Sequence, residues 1–306
     1  MKPAHTPVMV DEVLALLAPA PASRVVDATT GHGGHAEAIL ERLGPDGMLV
    51  GLDRDPEMLA VAEERLARFG ARTKLFHARF SFMREVVAAA GAAPVDGVLL
   101  DLGVCSAHLD RLERGMSFRA GDAPVPLDMR MDRSQGETAA ELLGRIGRDE
   151  LTELLRDGGV PMPGRVARAL HEKRPIRTVQ ELVAALGDVR LPQRRHNPAT
   201  LVFQALRMAV NDELAELDAG LESAVDVLAQ GGKLAVLSYH SGEDRRVKQF
   251  LAREAKGCIC PPDLPVCGCG RVPRLRIVAR GQQASAAELR RNPRARSARL
   301  RGGVRC

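Results

Sequence analysis

RVVDATTGHGGHAEAILERLGPDGMLVGLDRD, residues 24–55, is the stretch from which the fold is read. Arg24, Val25 and Val26 begin a short β-branched run of the kind that forms a buried strand, and Asp27 closes it. Gly31, Gly33 and Gly34 then supply a turn in which backbone approaches a ligand with no Cβ in the way. A helix is predicted from about His35 to Leu43, and a second apolar run, 48–52, ends in Asp53. An acid about 20 residues past such a turn is placed to bind the ribose hydroxyls of a nucleoside cofactor. The turn departs from the dinucleotide pattern Gly-x-Gly-x-x-Gly, and no Gly-Lys-Ser/Thr phosphate loop is present. A nucleoside ligand without a pyrophosphate fits better, and S-adenosylmethionine is the common one.

Moving outward, the same alternation continues. Helix 56–69, strand 73–77, helix 80–90 and strand 95–100 follow, the last ending in Asp101. This is the signature of an α/β fold with a parallel sheet and helices on both faces. Ligands of such sheets bind outside the carboxyl ends of the strands, where Asp27, Asp53, His77 and Asp101 all fall.

The alternation breaks at residues 105–131, a long Gly-, Pro- and Arg-containing stretch with no periodicity. Helical spacing returns at 139–145, 148–157, 164–172 and 179–186, followed by a basic connector, PQRRHNP, at 192–198. Two longer helices, 199–211 and 213–230, are predicted to end at Gly231-Gly232. A fifth strand, 233–238, leads to Tyr239, His240 and Ser241; a helix, 243–255, and a strand at 272–279 come after it. The expected organisation is a discontinuous sheet domain, 1–108 and 199–306, interrupted by a helical substrate-recognition insert, 109–198. The basic tail, from about residue 281, is expected to be at best partly ordered beyond Asn292.

With 306 residues, 45% of them hydrophobic, the chain has enough apolar material for a substantial core. The net charge of +5 favours an anionic partner, and from Arg271 onward eleven arginines face a single acid, Glu288. Four arginine-rich stretches, 111–119, 130–133, 194–195 and 290–301, are candidates as a set for phosphate contacts. One Tyr and no Trp leave little for base stacking. No apolar run reaches the roughly 18 residues of a membrane span, and the N-terminus is too acidic for a secretory signal, so a cytoplasmic location is expected. Cys258, Cys260, Cys267 and Cys269 either bind zinc, despite pair spacings shorter than usual, or form a reduced loop without metal. No metal ligand is assigned on sequence grounds.

Nine stretches together closely resemble the bacterial 16S ribosomal RNA cytosine-N4 methyltransferases, the MraW-type family. They are HTPVMVDEVL (5–14), GHGGH (31–35), GLDRDP (51–56), DGVLLDLGVCS (96–106), ERGMSFR (113–119), PLDMRMD (126–132), NPATLVFQALRMAVNDEL (197–214), SYHSGEDRRVKQF (238–250) and NPRARSARLR (292–301). The resemblance covers essentially the whole chain. It implies a Rossmann-like class I methyltransferase sheet with an inserted domain. It implies S-adenosylmethionine as cofactor and, as acceptor, the N4 amine of one cytidine in the decoding region of 16S RNA in the small ribosomal subunit.

Carried over residue by residue, the family's cofactor positions fall on Gly33, Gly34, His35, Asp53, Phe80, Asp101 and His108. The family usually has Gln at position 108, Ser at Cys105, Phe at Tyr239 and Leu at Gly242. Asp101 and His240 are the candidates for catalysis, Asp101 near the target amine and His240 for the base pocket or proton removal. The rival readings are a small-molecule or protein methyltransferase on the same fold and a non-catalytic RNA-binding assembly factor. The oligomeric state is left open, a homodimer being one option.

Overall fold

A computed structural model describes residues 6–103, 111–117, 123–187, 189, 198–258, 260, 266 and 268–306. Seven strands lie in one sheet: β1 (Arg24–Asp27), β2 (Met48–Asp53), β3 (Thr73–His77), β4 (Val95–Asp101), β5 (Leu228–Ser238), β6 (Leu275–Gln283) and β7 (Arg299–Arg305). The described helices are α1 (Val10–Leu17), α2 (Gly34–Leu40), α3 (Pro56–Leu66), α4 (Met83–Ala89), α5 (Ala139–Arg145), α6 (Arg148–Asp157), α7 (Pro163–Glu172), α8 (Val179–Gly187), α9 (Pro198–Val210), α10 (Glu213–Val227), α11 (Ser241–Glu254) and α12 (Ala286–Arg291). The chain divides into two compact units, Met1–Gly103 with Ala215–Cys306, and Val104–Leu214. No described helix is long and apolar enough to cross a membrane.

The first unit contains the sheet, in the order β3-β2-β1-β4-β5-β7-β6. The five strands from β3 to β5 pair in parallel; β7 is antiparallel to both β5 and β6. Strand alternation sends successive side chains to opposite faces, and both faces are covered. Val26, Val50, Leu52, Val98, Leu100 and Val236 meet α4, α10 and α11 in one core. Val25, Leu49, Leu99, Ala235 and Leu237 meet α1, α2 and α3 in the other. This double burial is why the strands read as continuous apolar runs. Register brings the strand ends level: Asp27 lies beside Gly51, Asp53 beside His77, and Asp101 beside Leu237.

Two expectations are corrected here. The segment after Asn292 is ordered: β7 is an interior strand with Leu300 fully buried. Gly302 suits this place because a Cβ there would come within 2.6 Å of the Leu16 side chain. The segment is also tied to the other terminus. Buried Glu288 accepts from Met9 N at 3.2 Å, and Asn292 Nδ2 donates to Thr6 O at 3.3 Å. The second correction concerns residues 228–232. Helix α10 stops at Val227, and Gly231, at φ 80, lies inside the irregular start of β5 rather than capping the helix.

In the second unit, α5 to α9 pack on their own apolar core, including Leu143, Leu151, Leu155, Val166, Leu170, Leu182 and Leu206. Thr138 and Glu141 form a reciprocal capping box at the start of α5. Helix α9, read from sequence as part of the sheet domain, contributes Val202, Phe203 and Leu206 to this core. The PLDMRMD stretch is pinned by Asn211, which accepts from Met131 N and donates to Met129 O, both at 2.8 Å. That grip holds Met129 at φ 64, a conformation side-chain-bearing residues rarely adopt.

Candidate active site at the strand ends

The glycine turn is stitched to two strands, β2 and β4. Ala28 N donates to Leu99 O on β4 and Thr30 N to Leu52 O on β2, both at 2.9 Å. Asp101 N donates to Thr29 Oγ1 at 2.7 Å. The three glycines serve different needs. Gly33 takes φ 76 against Leu66 and Ala62, while Gly34 makes room for Pro7, whose ring would lie 3.0 Å from a Cβ. At Gly31, φ 52, a Cβ would point into nearly open space. The open side of the turn is therefore at Gly31; Gly33 and Gly34 pack against Leu66, Ala62 and Pro7.

Asp53 is built into the turn. Its Oδ2 accepts from Gly31 N at 2.6 Å and its Oδ1 from Asp55 N at 2.8 Å, which fixes the plane of the carboxylate. Asp55, not Asp53, caps α3, accepting from Glu57 N at 2.9 Å. His77, read with this group from sequence, is exposed and bonds Arg54 O instead.

His35, Asp101 and Tyr239 form a chain across the strand ends. Buried His35 meets Val8 O through Nε2 at 2.9 Å, so that nitrogen carries the proton. Its Nδ1 lies 3.5 Å from Asp101 Oδ2. Tyr239 Oη donates to Asp101 Oδ1 at 2.6 Å. Burial pushes the Asp101 carboxyl above the ordinary carboxylate range, opposed by His35 and by the Tyr239 bond. Asp27 lies deeper. Burial raises it to about 7, against the pull of His35 and the Thr29 N–H, with Asp101 and Asp53 adding repulsion. Its Oδ1 accepts from Thr29 N at 3.2 Å; its Oδ2 is buried with no hydrogen-bond partner among the described residues. Buried Asp27 and half-buried Asp53 and Asp101 thus gather three carboxyls at the strand ends, a group suited to a ligand carrying positive charge.

Phe80 starts the short helical turn after β3 and is half-buried against the core. Its ring leans on Gly220 of α10, where a Cβ would come within 2.6 Å of Cε2. Glu216 and Ser223 hold the neighbouring Ser81 backbone at 2.8 Å each. His240 is the N-cap of α11. Its Nδ1 accepts from Glu243 N at 3.4 Å, and its Nε2 lies 3.1 Å from Glu243 Oε1. This geometry makes it a capping residue. His108 and Cys105 lie outside the described residues.

The arginine set divides. Arg114 is fully buried and donates to Met131 O at 2.8 Å; Arg130 forks onto Asp128 at 2.7 and 3.1 Å. Arg301 forks onto Asp244 at 2.7 and 3.0 Å and holds the Asp244 carboxyl below its ordinary range. These three are structural. Arg290, Arg294, Arg296 and Arg299 are exposed, whereas Arg194 and Arg195 lie outside the described residues. Sequence placed Asp27 at a strand end without giving it a cofactor or catalytic role, and marked Tyr239 as a departure from the family's Phe without foreseeing the bond of its hydroxyl to Asp101.

A family model described as the MraW methylase family matches residues 2–304. The Ribosomal RNA small subunit methyltransferase H of Geobacter sulfurreducens is 48% identical, with 97% of each chain covered. The protein of the same name from Syntrophotalea carbinolica is 47% identical, over 97% of this chain and 96% of its own. Among solved structures, an rRNA methylase from Streptococcus thermophilus aligns over 97% of this chain and 93% of its own, at 12% identity and a TM-score of 0.43.

Proposed function

The chain belongs to the MraW methylase family, and from that premise we propose that it methylates the exocyclic N4 amine of a cytidine in the decoding region of 16S ribosomal RNA, using S-adenosylmethionine. The observation that supports this reading best is buried Asp27, whose Oδ2 lacks a partner among the described residues beside two further carboxyls. A nucleoside ligand that carries fixed positive charge fits such a group, and a neutral or anionic one does not.

S-adenosylmethionine supplies, when bound, a methyl group on a cationic sulfonium sulfur. The chain's own part is to bind and orient, since direct displacement depends on alignment of nitrogen, carbon and sulfur. Asp53 offers a fixed carboxylate to the ribose hydroxyls, and the Gly31 side of the turn admits the nucleoside backbone to backbone. Phe80, whose ring leans on Gly220, would pack on the adenine. Gly33 and Gly34 maintain the turn, and His35 anchors Asp101 to the N-terminal segment through Val8. Asp101, held between His35 and Tyr239, would favour positive charge on the cofactor and is the candidate to stand near the acceptor amine. His108 completes the cofactor set by its match to the family position. An acceptor amine that loses its proton after transfer needs no strong base, so His240 is left to its capping role. Exposed arginines such as Arg290 and Arg296 contact RNA phosphates, and the protein works on the small subunit in the cytoplasm.

The test is transfer of a tritiated methyl group to purified small-subunit particles, with the candidate cytidine present or replaced. Incorporation that vanishes on replacement supports the reading. RNA binding without incorporation at any site would identify a non-catalytic assembly factor, and incorporation into protein or small molecules would identify a different acceptor class.

A further inference from the structure

We propose that Cys258, Cys260 and Cys269 form a thiolate site that binds zinc and pins the connection between α11 and β6. The three Sγ atoms all lie within 4.8 Å of one another although the residues span both ends of that connection. Cys258 Sγ and Cys269 Sγ are 3.8 Å apart. Tetrahedral zinc with Zn–S bonds of about 2.3 Å requires neighbouring sulfurs about 3.8 Å apart, so this pair already has the separation the ion demands. A disulfide would require the two sulfurs at about 2.05 Å.

The local backbone is arranged for thiolates. Cys260 N donates to Cys258 Sγ at 3.4 Å, the type of bond that orients and stabilises a metal-bound sulfur. Gly270, at φ 57, turns the chain directly after Cys269. The one-residue spacing between Cys258 and Cys260, tighter than usual for zinc, does not separate their sulfurs from the group.

Among the described residues, burial in an apolar core does not account for the convergence of the cysteines. Cysteine is among the most buried residue types, yet Cys258 is exposed and Cys260 and Cys269 only half-buried. Among the described residues of the segment, Val266 and Val272 face outward, at 78% and 71% exposure. What anchors the segment is polar: Arg271 donates to Arg253 O and to Glu254 at 3.0 Å, and Arg274 joins Glu222 at 3.2 Å. Three thiolates around a divalent cation carry a net negative charge, and Lys256, Arg271 and Arg274 supply cations in the same segment. The fourth position of the tetrahedron falls to a ligand outside these three.

The test is metal analysis of the full chain purified under reducing conditions without chelator. About one zinc per chain is expected, in line with a closed structural site. Cys258→Ser and Cys269→Ser should each lower the zinc content about tenfold, as the loss of a ligand or its direct support does. Cys306→Ser, at the exposed C-terminal residue, should leave it unchanged. Circular dichroism and a thermal melt show whether the variants keep the sheet. Cobalt(II) titration of the parent should give thiolate charge-transfer absorption that both variants lack. Two results would overturn the proposal: a zinc-free parent whose cobalt spectrum matches that of the variants, or a Cys258–Cys269 disulfide found by mass spectrometry in protein extracted under thiol-trapping conditions.

Discussion

Replacing Tyr239 with Phe removes one oxygen from the strand-end chain and leaves the ring that packs beside Gly103. The lost bond, Tyr239 Oη to Asp101 Oδ1 at 2.6 Å, favours the ionised carboxylate in a buried setting. Hydrogen bonds to charged groups contribute about 1.5–3 kcal/mol. Loss of this bond raises the Asp101 carboxyl further above its already elevated position. If ionised Asp101 favours a cationic cofactor, affinity falls on the acid side as that carboxyl takes up its proton. In Tyr239→Phe this fall should begin at a higher pH than in the parent. Calorimetric titration with S-adenosylmethionine across the range from mildly acidic to mildly alkaline reads the shift directly. At the alkaline end, where Asp101 is ionised in both proteins, the two affinities should converge. Superimposable pH profiles would refute the role given to Tyr239, and a uniform loss of affinity at every pH would reduce it to packing.

Three further outcomes are expected. Asp27 is raised from 3.8 to about 7, so its folded-state contribution is fully present below about pH 4 and lost as pH rises through about 7. The three-unit gap corresponds to on the order of 4 kcal/mol; Asp27→Asn should therefore gain stability relative to the parent between those limits in urea melts, and a constant offset would contradict the assignment. Gly220→Ala drives a Cβ to within 2.6 Å of Phe80 Cε2; overpacking of about 1–3 kcal/mol should displace the ring and weaken cofactor affinity roughly tenfold, while unchanged affinity would remove Phe80 from the pocket. Arg301→Gln breaks the fork onto Asp244, which should cost about 1–3 kcal/mol of stability and leave the salt dependence of RNA binding unchanged; a reduced salt slope would return Arg301 to the phosphate-binding set.

Most of the parallel half of the sheet was legible because β1, β2 and β4 are short, largely buried apolar runs that each end in an acid. The insert's helices were legible from spacing alone, and α5 and α6 occupy the predicted residues. The strand β7 was not, because RLRGGVR combines arginines that read as a solvated tail with two glycines that read as a turn. Only the tertiary structure shows Arg301 clasping Asp244 and Gly302 giving way to Leu16. The arginines misled in the same way: a buried Arg114 bonded to carbonyls and an exposed Arg296 look identical in a sequence. Within the site, Asp53 and Asp101 were visible at their strand ends. The reasons for Gly34 and His35 were not, since they rest on Pro7 and Val8, far away in the chain. His240 stood at a strand end like the acids, and its bond from Glu243 N, which makes it the N-cap of α11, was not legible.

The central claim is that the cofactor binds at the carboxyl ends of β1, β2 and β4. Amide hydrogen exchange of the full chain with and without S-adenosylhomocysteine measures this without depending on turnover. The account predicts new protection at residues 29–34, 53–55 and 80–83, weakened in Asp53→Ala. Protection confined to other parts of the chain, or binding to Asp53→Ala with an unchanged protection pattern, would contradict it.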